Sequence, residues 1–131
     1  MKIFLIVDDS PVIRKVANRI LSDMGFVVVE AADGFEALEK CRYNMPDAIL
    51  IDWDTPGMSG IEFLEQFTMI EGAQDTRVIY CTSEIMVSDM TKAKRAGANA
   101  FMMKPFNRKI LSTKLEEAGI KNSGVANTEA A

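Results

Sequence analysis

The chain has 131 residues, the length of one domain, with 48% hydrophobic residues, 26% charged residues and a net charge of −4. The acidic balance excludes general attraction to nucleic acid or an anionic bilayer, and no apolar run approaches the roughly 20 residues of a membrane span. With no histidine, Ser-His-Asp and Cys-His catalysis, histidine-ligated zinc and a phosphohistidine on this chain are excluded as well.

In chain order, the first element is IFLIV at 3–7, a continuous apolar run that suits a strand covered on both faces. It is followed by Asp8-Asp9, acids that come too early for a signal peptide and leave a cytoplasmic location as the expectation. Ser10-Pro11 reads as an N-cap with proline at the first helical position. Val12, Val16, Ile20 and Met24, with Ile13, Ala17 and Leu21 alongside, predict a helix stopped by Gly25. FVVV at 26–29 predicts the second strand, which leads into a turn at Ala31-Ala32-Asp33-Gly34. Phe35, Leu38 and Cys41 then mark the second helix.

AILI at 48–51 is the third strand, and it ends on Asp52. Ser59 with Glu62 forms a capping box at the start of a helix carrying Phe63, Leu64 and Phe67. VIYC at 78–81 is followed by Thr82-Ser83-Glu84 and by a fourth helix with Met86, Met90 and Ala93, ending near Gly97. AFMM at 100–103 runs into Lys104-Pro105, and a last helix with Leu111, Leu115 and Ala118 ends at Gly119. Five βα units predict an α/β fold, an open parallel sheet with helices on both faces. One domain over 1–119 is expected, with a small, polar, frayed tail at 120–131 and no output domain. Cys41 and Cys81 lack C-x-x-C spacing and read as buried thiols of a reducing compartment. The nine methionines read as core filling.

Parallel strands share one carboxyl edge, where ligands of such sheets sit. Asp8 and Asp9, Asp52, Thr82 and Lys104 all fall at that edge. Singly, Asp8 or Asp9 could assist the cap at Ser10, Thr82 could bond local backbone, and Lys104 could be a surface lysine. Together they bring three carboxylates, a hydroxyl and an amine to the ends of four strands. Carboxylates so close raise one another's pKa unless a cation joins them, and hard oxygen ligands suit Mg²⁺. A carboxylate beside Mg²⁺ can attack phosphorus, with an ammonium neutralising the phosphoryl oxygens. Asp52 is the best nucleophile, Lys104 supplies the charge, and Thr82 can bond a phosphoryl oxygen.

LIVDDSP, ILIDWDTPGMSG, VIYCTSE and AGANAFMMKPF, in that order, resemble a bacterial two-component response-regulator receiver domain of the stand-alone, chemotaxis (CheY-like) type, over residues 2 to about 118. The resemblance implies a flavodoxin-like, doubly wound sheet of order 2-1-3-4-5. It implies that Asp52 is the phosphoacceptor and that Mg²⁺ is held by Asp9, Asp52 and the backbone carbonyl of Asp54, with Asp8 acting through water. Thr82 becomes the switch hydroxyl, Lys104 the phosphate contact, and Phe101 the switch aromatic, although Phe101 also reads as an ordinary core residue. A cis Lys104-Pro105 bond is implied too. The partners implied are a histidine kinase or histidine phosphotransfer protein and a protein target on the face formed by the fourth helix, the fifth strand and the last helix. No DNA, no membrane insertion and a mainly monomeric state are expected. Such a protein is not an enzyme beyond self-phosphotransfer and slow autodephosphorylation. Two departures from the family pattern, Asp54 and Thr55 after the acceptor, add a charge and a hydroxyl near the site, and Glu84 adds another acid.

Two other readings compete. ILIDWDTPG is similar to the first motif of haloacid-dehalogenase-type phosphatases, which implies a Mg²⁺-dependent phosphohydrolase with Asp54 as general acid and base. Alternatively, a vestigial receiver serves as a binding module. Lys92, Lys94, Arg95, Arg108, Lys109 and Lys114 would then meet an acidic protein or a cyclic dinucleotide, or simply form a solvated face. Trp53, the single tryptophan, adjoins Asp52 and should report the site by fluorescence, or serve only as loop packing.

Overall fold

The computed structural model describes residues 2–121, so residues 122–131 of the expected tail lie outside it. Its elements follow the predicted rhythm: β1 (Ile3–Val7), α1 (Pro11–Asp23), β2 (Val27–Ala31), α2 (Gly34–Tyr43), β3 (Ala48–Asp52), α3 (Gly60–Phe67), β4 (Arg77–Thr82), α4 (Val87–Arg95), β5 (Ala100–Met103) and α5 (Arg108–Glu117). The strands form one parallel sheet in the order β2-β1-β3-β4-β5, the expected flavodoxin-like arrangement. Val7 lies beside Ile51, Asp52 beside Cys81 and Thr82 beside Met103, so the strand ends that carry polar residues line up.

Side chains alternate across a strand, and that alternation builds two cores. Phe4 and Ile6 of β1, with Leu50 and Met102, pack under α1 and α5. Leu5 and Val7, with Ile49, Ile51 and Tyr80, pack under α2, α3 and α4. All five β3 residues are buried, as a central strand with a continuous apolar run should be. At the sheet edge β2 is only partly covered: Val27 is 40% exposed and Ala31 alone of its residues is buried. Cys41 and Cys81 are free and lie in the two different cores, so the sheet separates them; burial pushes each thiol up to about 12.

Local signals set the helix ends. Ser10 Oγ accepts from the Ile13 amide at 3.3 Å, with Pro11 starting α1. Ser59 and Glu62 exchange reciprocal bonds, both 3.2 Å, at the start of α3. Gly25 and Gly97 follow α1 and α4 at φ 94° and 116°, the left-handed region that favours glycine.

Helix facing departs from expectation at three places. Val12 is 70% and Val16 41% exposed, and α1 buries Ala17, Ile20 and Leu21, with Met24 behind them. A strict four-residue step drifts by about 40° per turn at 3.6 residues per turn, so Val12 lies about 120° from Met24 around the helix. Phe35 is exposed and leans on Gly57 in the loop after β3. Met86 is exposed, and Ala93 is the only buried residue of α4.

Candidate functional site

β1, β3, β4 and β5 deliver their terminal residues to one edge. Asp8 and Asp52 are 3% and 5% exposed, buried far more deeply than carboxylates usually are, while Asp9 stands exposed beside them. Carboxylate oxygens of Asp8, Asp9 and Asp52 lie within 4.8 Å of one another. Lys104 reaches in from the end of β5 and contacts both buried acids, Asp8 Oδ2 at 2.7 Å and Asp52 Oδ1 at 3.2 Å. Its backbone amide donates to the Thr82 carbonyl at 2.9 Å, and Lys104-Pro105 is cis, as the resemblance implied.

Burial raises the Asp52 pKa and the charge of Asp8 raises it further; the Lys104 ammonium and the Asp54 backbone amide act the other way without prevailing. Burial alone would lower the Lys104 ammonium, but its hydrogen bond to Asp8 and the charges of Asp52 and Asp8 outweigh it and hold the pKa above normal. The repulsion expected among the acids is therefore already offset in part by an internal cation. Three oxygen donors so close, two of them buried and at most partly neutralised, fit a small hard cation such as Mg²⁺.

Two of the modest local readings also hold. Asp8 Oδ1 accepts from the Ser10 amide at 2.9 Å, so it serves the N-cap as well as the cluster. Thr82 Oγ1 donates to the Glu84 carbonyl at 3.1 Å and accepts from the Glu84 amide at 3.3 Å. Its hydroxyl thus closes a local turn. Asp54 and Glu84 are exposed, whereas Thr55 is buried and donates to the Met58 carbonyl within the loop after β3. Trp53 packs edge-on against Tyr80 with ring centroids 4.6 Å apart, and Phe101, partly buried, lies 6.2 Å beyond Tyr80.

Arg14 was not among the predicted site residues. Its Nη1 donates to the Asp8 carbonyl at 2.6 Å while Nε pairs with Glu30 at 3.0 Å, tying α1 and β2 to the acidic turn. The available signal was Glu30, a charge that ends a run of valines much as Asp52 ends β3. Of the basic residues on α4 and α5, Arg108 pairs with Asp23 at 2.7 Å and Lys114 with Glu117 at 3.1 Å. The basic face is thereby partly neutralised within the chain.

A doubly wound parallel sheet of order 2-1-3-4-5, with an acidic cluster and a lysine at its carboxyl edge, defines a flavodoxin-like protein. A family model, response regulator receiver domain, matches residues 4–116, and the chain belongs to that family. It is 36% identical over 118 residues to the chemotaxis protein CheY of Pseudomonas aeruginosa, covering 89% of this chain and 94% of that one. It is equally 36% identical to chemotaxis protein CheY-3 of Vibrio cholerae, over 89% of this chain and 90% of the other. Among solved structures it resembles Vibrio cholerae CheY4 at a TM-score of 0.86 and 35% identity, covering 90% and 98% of the two chains. The receiver domain of the sensor histidine kinase PA1611 from Pseudomonas aeruginosa matches at 0.80 and 28% identity over 89% and 96%; its active-site cleft coordinates a magnesium ion. The protein is thus a receiver of CheY type in two-component signalling, and its family is not that of the haloacid-dehalogenase-type phosphatases.

Proposed function

We propose that this receiver accepts a phosphoryl group on Asp52 from a histidine kinase or histidine phosphotransfer protein and relays its state to a protein target. The observation that carries this reading is Lys104 lying on Asp8 and Asp52, inside a cluster of three carboxylates. Asp9, Asp52 and the backbone carbonyl of Asp54 would hold Mg²⁺ directly, and Asp8 through water. Bound there, the metal supplies positive charge to the phosphoryl oxygens.

Asp52 presents a carboxylate oxygen to the donor phosphorus. The new P–O bond forms as the bond to the partner's histidine nitrogen breaks, and the electron pair stays with that nitrogen. Lys104, released from Asp52, turns its ammonium to a phosphoryl oxygen while keeping Asp8. Thr82 leaves Glu84 and donates to another phosphoryl oxygen, and Phe101 packs into the space it vacates. The α4-β5-α5 surface then differs between the two states, which is what a target reads. Water later hydrolyses the acyl phosphate slowly, so the chain is a switch with self-phosphotransfer and no turnover of an external substrate. The reading includes one receiver domain over 1–119, a mainly monomeric protein in the cytoplasm, and no DNA or membrane insertion.

Incubation with Mg²⁺ and acetyl phosphate followed by intact mass tests it. One added phosphoryl group, absent in Asp52→Ala, is expected. No adduct, with no phosphate released above background, would leave the binding-module reading in its place.

A further inference from the structure

Tyr80 is an expensive residue for its position. It is 2% exposed, and among the described residues its hydroxyl is the one buried side-chain polar atom without a hydrogen-bond partner. A phenylalanine would fill the same ring space beside Trp53 without that penalty. The ring fits closely: a Cβ at Gly60 would stand 3.1 Å from both Cε2 and the hydroxyl oxygen of Tyr80. Beside it lies a gap of about 10 Å³, bounded by Thr82 and Glu84 on the β4 side and by Asp89 and Met90 of α4. That is near the lower limit for a single water molecule.

The far wall of this gap is the start of α4. α4 has no side-chain cap hydrogen bond at its N-cap, Met86, and buries only Ala93. Ile85, Met86 and Val87 are 38%, 50% and 80% exposed. Its approach is pinned by the turn that Thr82 makes with Glu84. Asp89, in the first turn of α4, is the acidic residue that lines the gap from that wall, and after burial its charge is the largest influence raising the Tyr80 hydroxyl pKa.

Resting on the phosphorylation reading above, we propose that Tyr80 is a second positioning aromatic of the switch, whose hydroxyl takes the Asp89 carboxylate as acceptor when Thr82 leaves Glu84. Release of the Thr82 turn frees the first turn of α4, which closes the gap and is latched to β4 only in the phosphorylated state. A donor left idle in one state and satisfied in the other biases the equilibrium toward the second. No covalent bond changes in this step. The latch couples the residue beside the acceptor, Trp53, to the output helix through Tyr80, alongside the route through Phe101.

The test is amide hydrogen exchange over residues 87–95, with and without Mg²⁺ and acetyl phosphate, with intact mass taken on the same samples. In the wild type, α4 exchange should slow on phosphorylation. Tyr80→Phe and Asp89→Ala should take up the phosphoryl group equally but lose about tenfold of that slowing, and the double variant should lose no more than either single one. Unphosphorylated Tyr80→Phe should melt at or above the wild-type temperature. Full slowing of α4 in phosphorylated Tyr80→Phe overturns the latch. So does a clear drop in its resting melting temperature, which would mean that the hydroxyl already has a partner. A wild type that takes no adduct sinks the phosphorylation reading and the latch with it, whereas an adduct without α4 slowing sinks the latch alone.

Discussion

Lys104→Met removes the one ammonium lying between Asp8 and Asp52 while keeping most of the apolar stem. Both carboxylates are buried and contacted by Lys104 at 2.7 and 3.2 Å, and the lysine side chain is itself only 16% exposed. Breaking a buried ion pair from one side costs about 3–5 kcal/mol, because the remaining charge is left uncompensated. The lower end, about 3 kcal/mol, applies here, since Asp8 keeps a second hydrogen bond, from the Ser10 amide, when the ammonium is gone. For a domain of this size that corresponds to a fall in melting temperature of roughly 10 °C. The assay is thermal and urea denaturation followed by circular dichroism, at neutral pH in EDTA. Lys104→Met combined with Asp52→Asn should recover most of the loss, since the repulsion then has only one charged partner. Saturating Mg²⁺ should also recover part of it. If Lys104→Met lies within about 0.5 kcal/mol of the wild type in EDTA, the ammonium is not holding the two acids together and the electrostatic argument is wrong.

Further outcomes follow from the same geometry. Asp52 has a pKa raised above its ordinary 3.8, so between those two values the folded state binds more protons than the unfolded one. Stability without metal should therefore fall as pH rises through that window and level off above it, and Asp52→Asn should abolish the slope in denaturation midpoints. Lys104 has the same sign in a higher window: its contribution is complete below 10.5 and lost as pH climbs through the raised value, a loss that Lys104→Met should not show. Mg²⁺ at a hundred times its dissociation constant should stabilise the protein by about 2.7 kcal/mol, and an unchanged melting temperature would count against the acidic cluster as a metal site. Gly60→Ala places a Cβ 3.1 Å from Tyr80 and 3.2 Å from the Trp53 Cα, and should cost about 1–3 kcal/mol and shift Trp53 fluorescence. Phe101→Ala should weaken target binding with phosphorylation intact; equal affinity would return Phe101 to the role of a plain core residue.

Whatever depends on neighbours in sequence was legible before folding. Ser10-Pro11 and the Ser59–Glu62 box act over three residues, and the structure reproduces both. The apolar runs, each followed by its own polar residues, placed Asp8, Asp52, Thr82 and Lys104 at one sheet edge because parallel strands share a carboxyl end. The facing of α1 was not legible in the same way. Val12 and Val16 share a four-residue step with Ile20 and Met24, yet only contact with the sheet selects which arc of the helix is buried. Nor did the composition of β2 announce that it is an edge strand with a half-covered face. Tertiary structure alone decided that Lys104 holds Asp8 more closely than Asp52, that Arg14 ties Glu30 to the acidic turn, and that the Tyr80 hydroxyl is left without a partner. These are distances between side chains far apart in the chain. Local propensity says which residues end a strand; packing of the remaining elements says what each of those residues meets there.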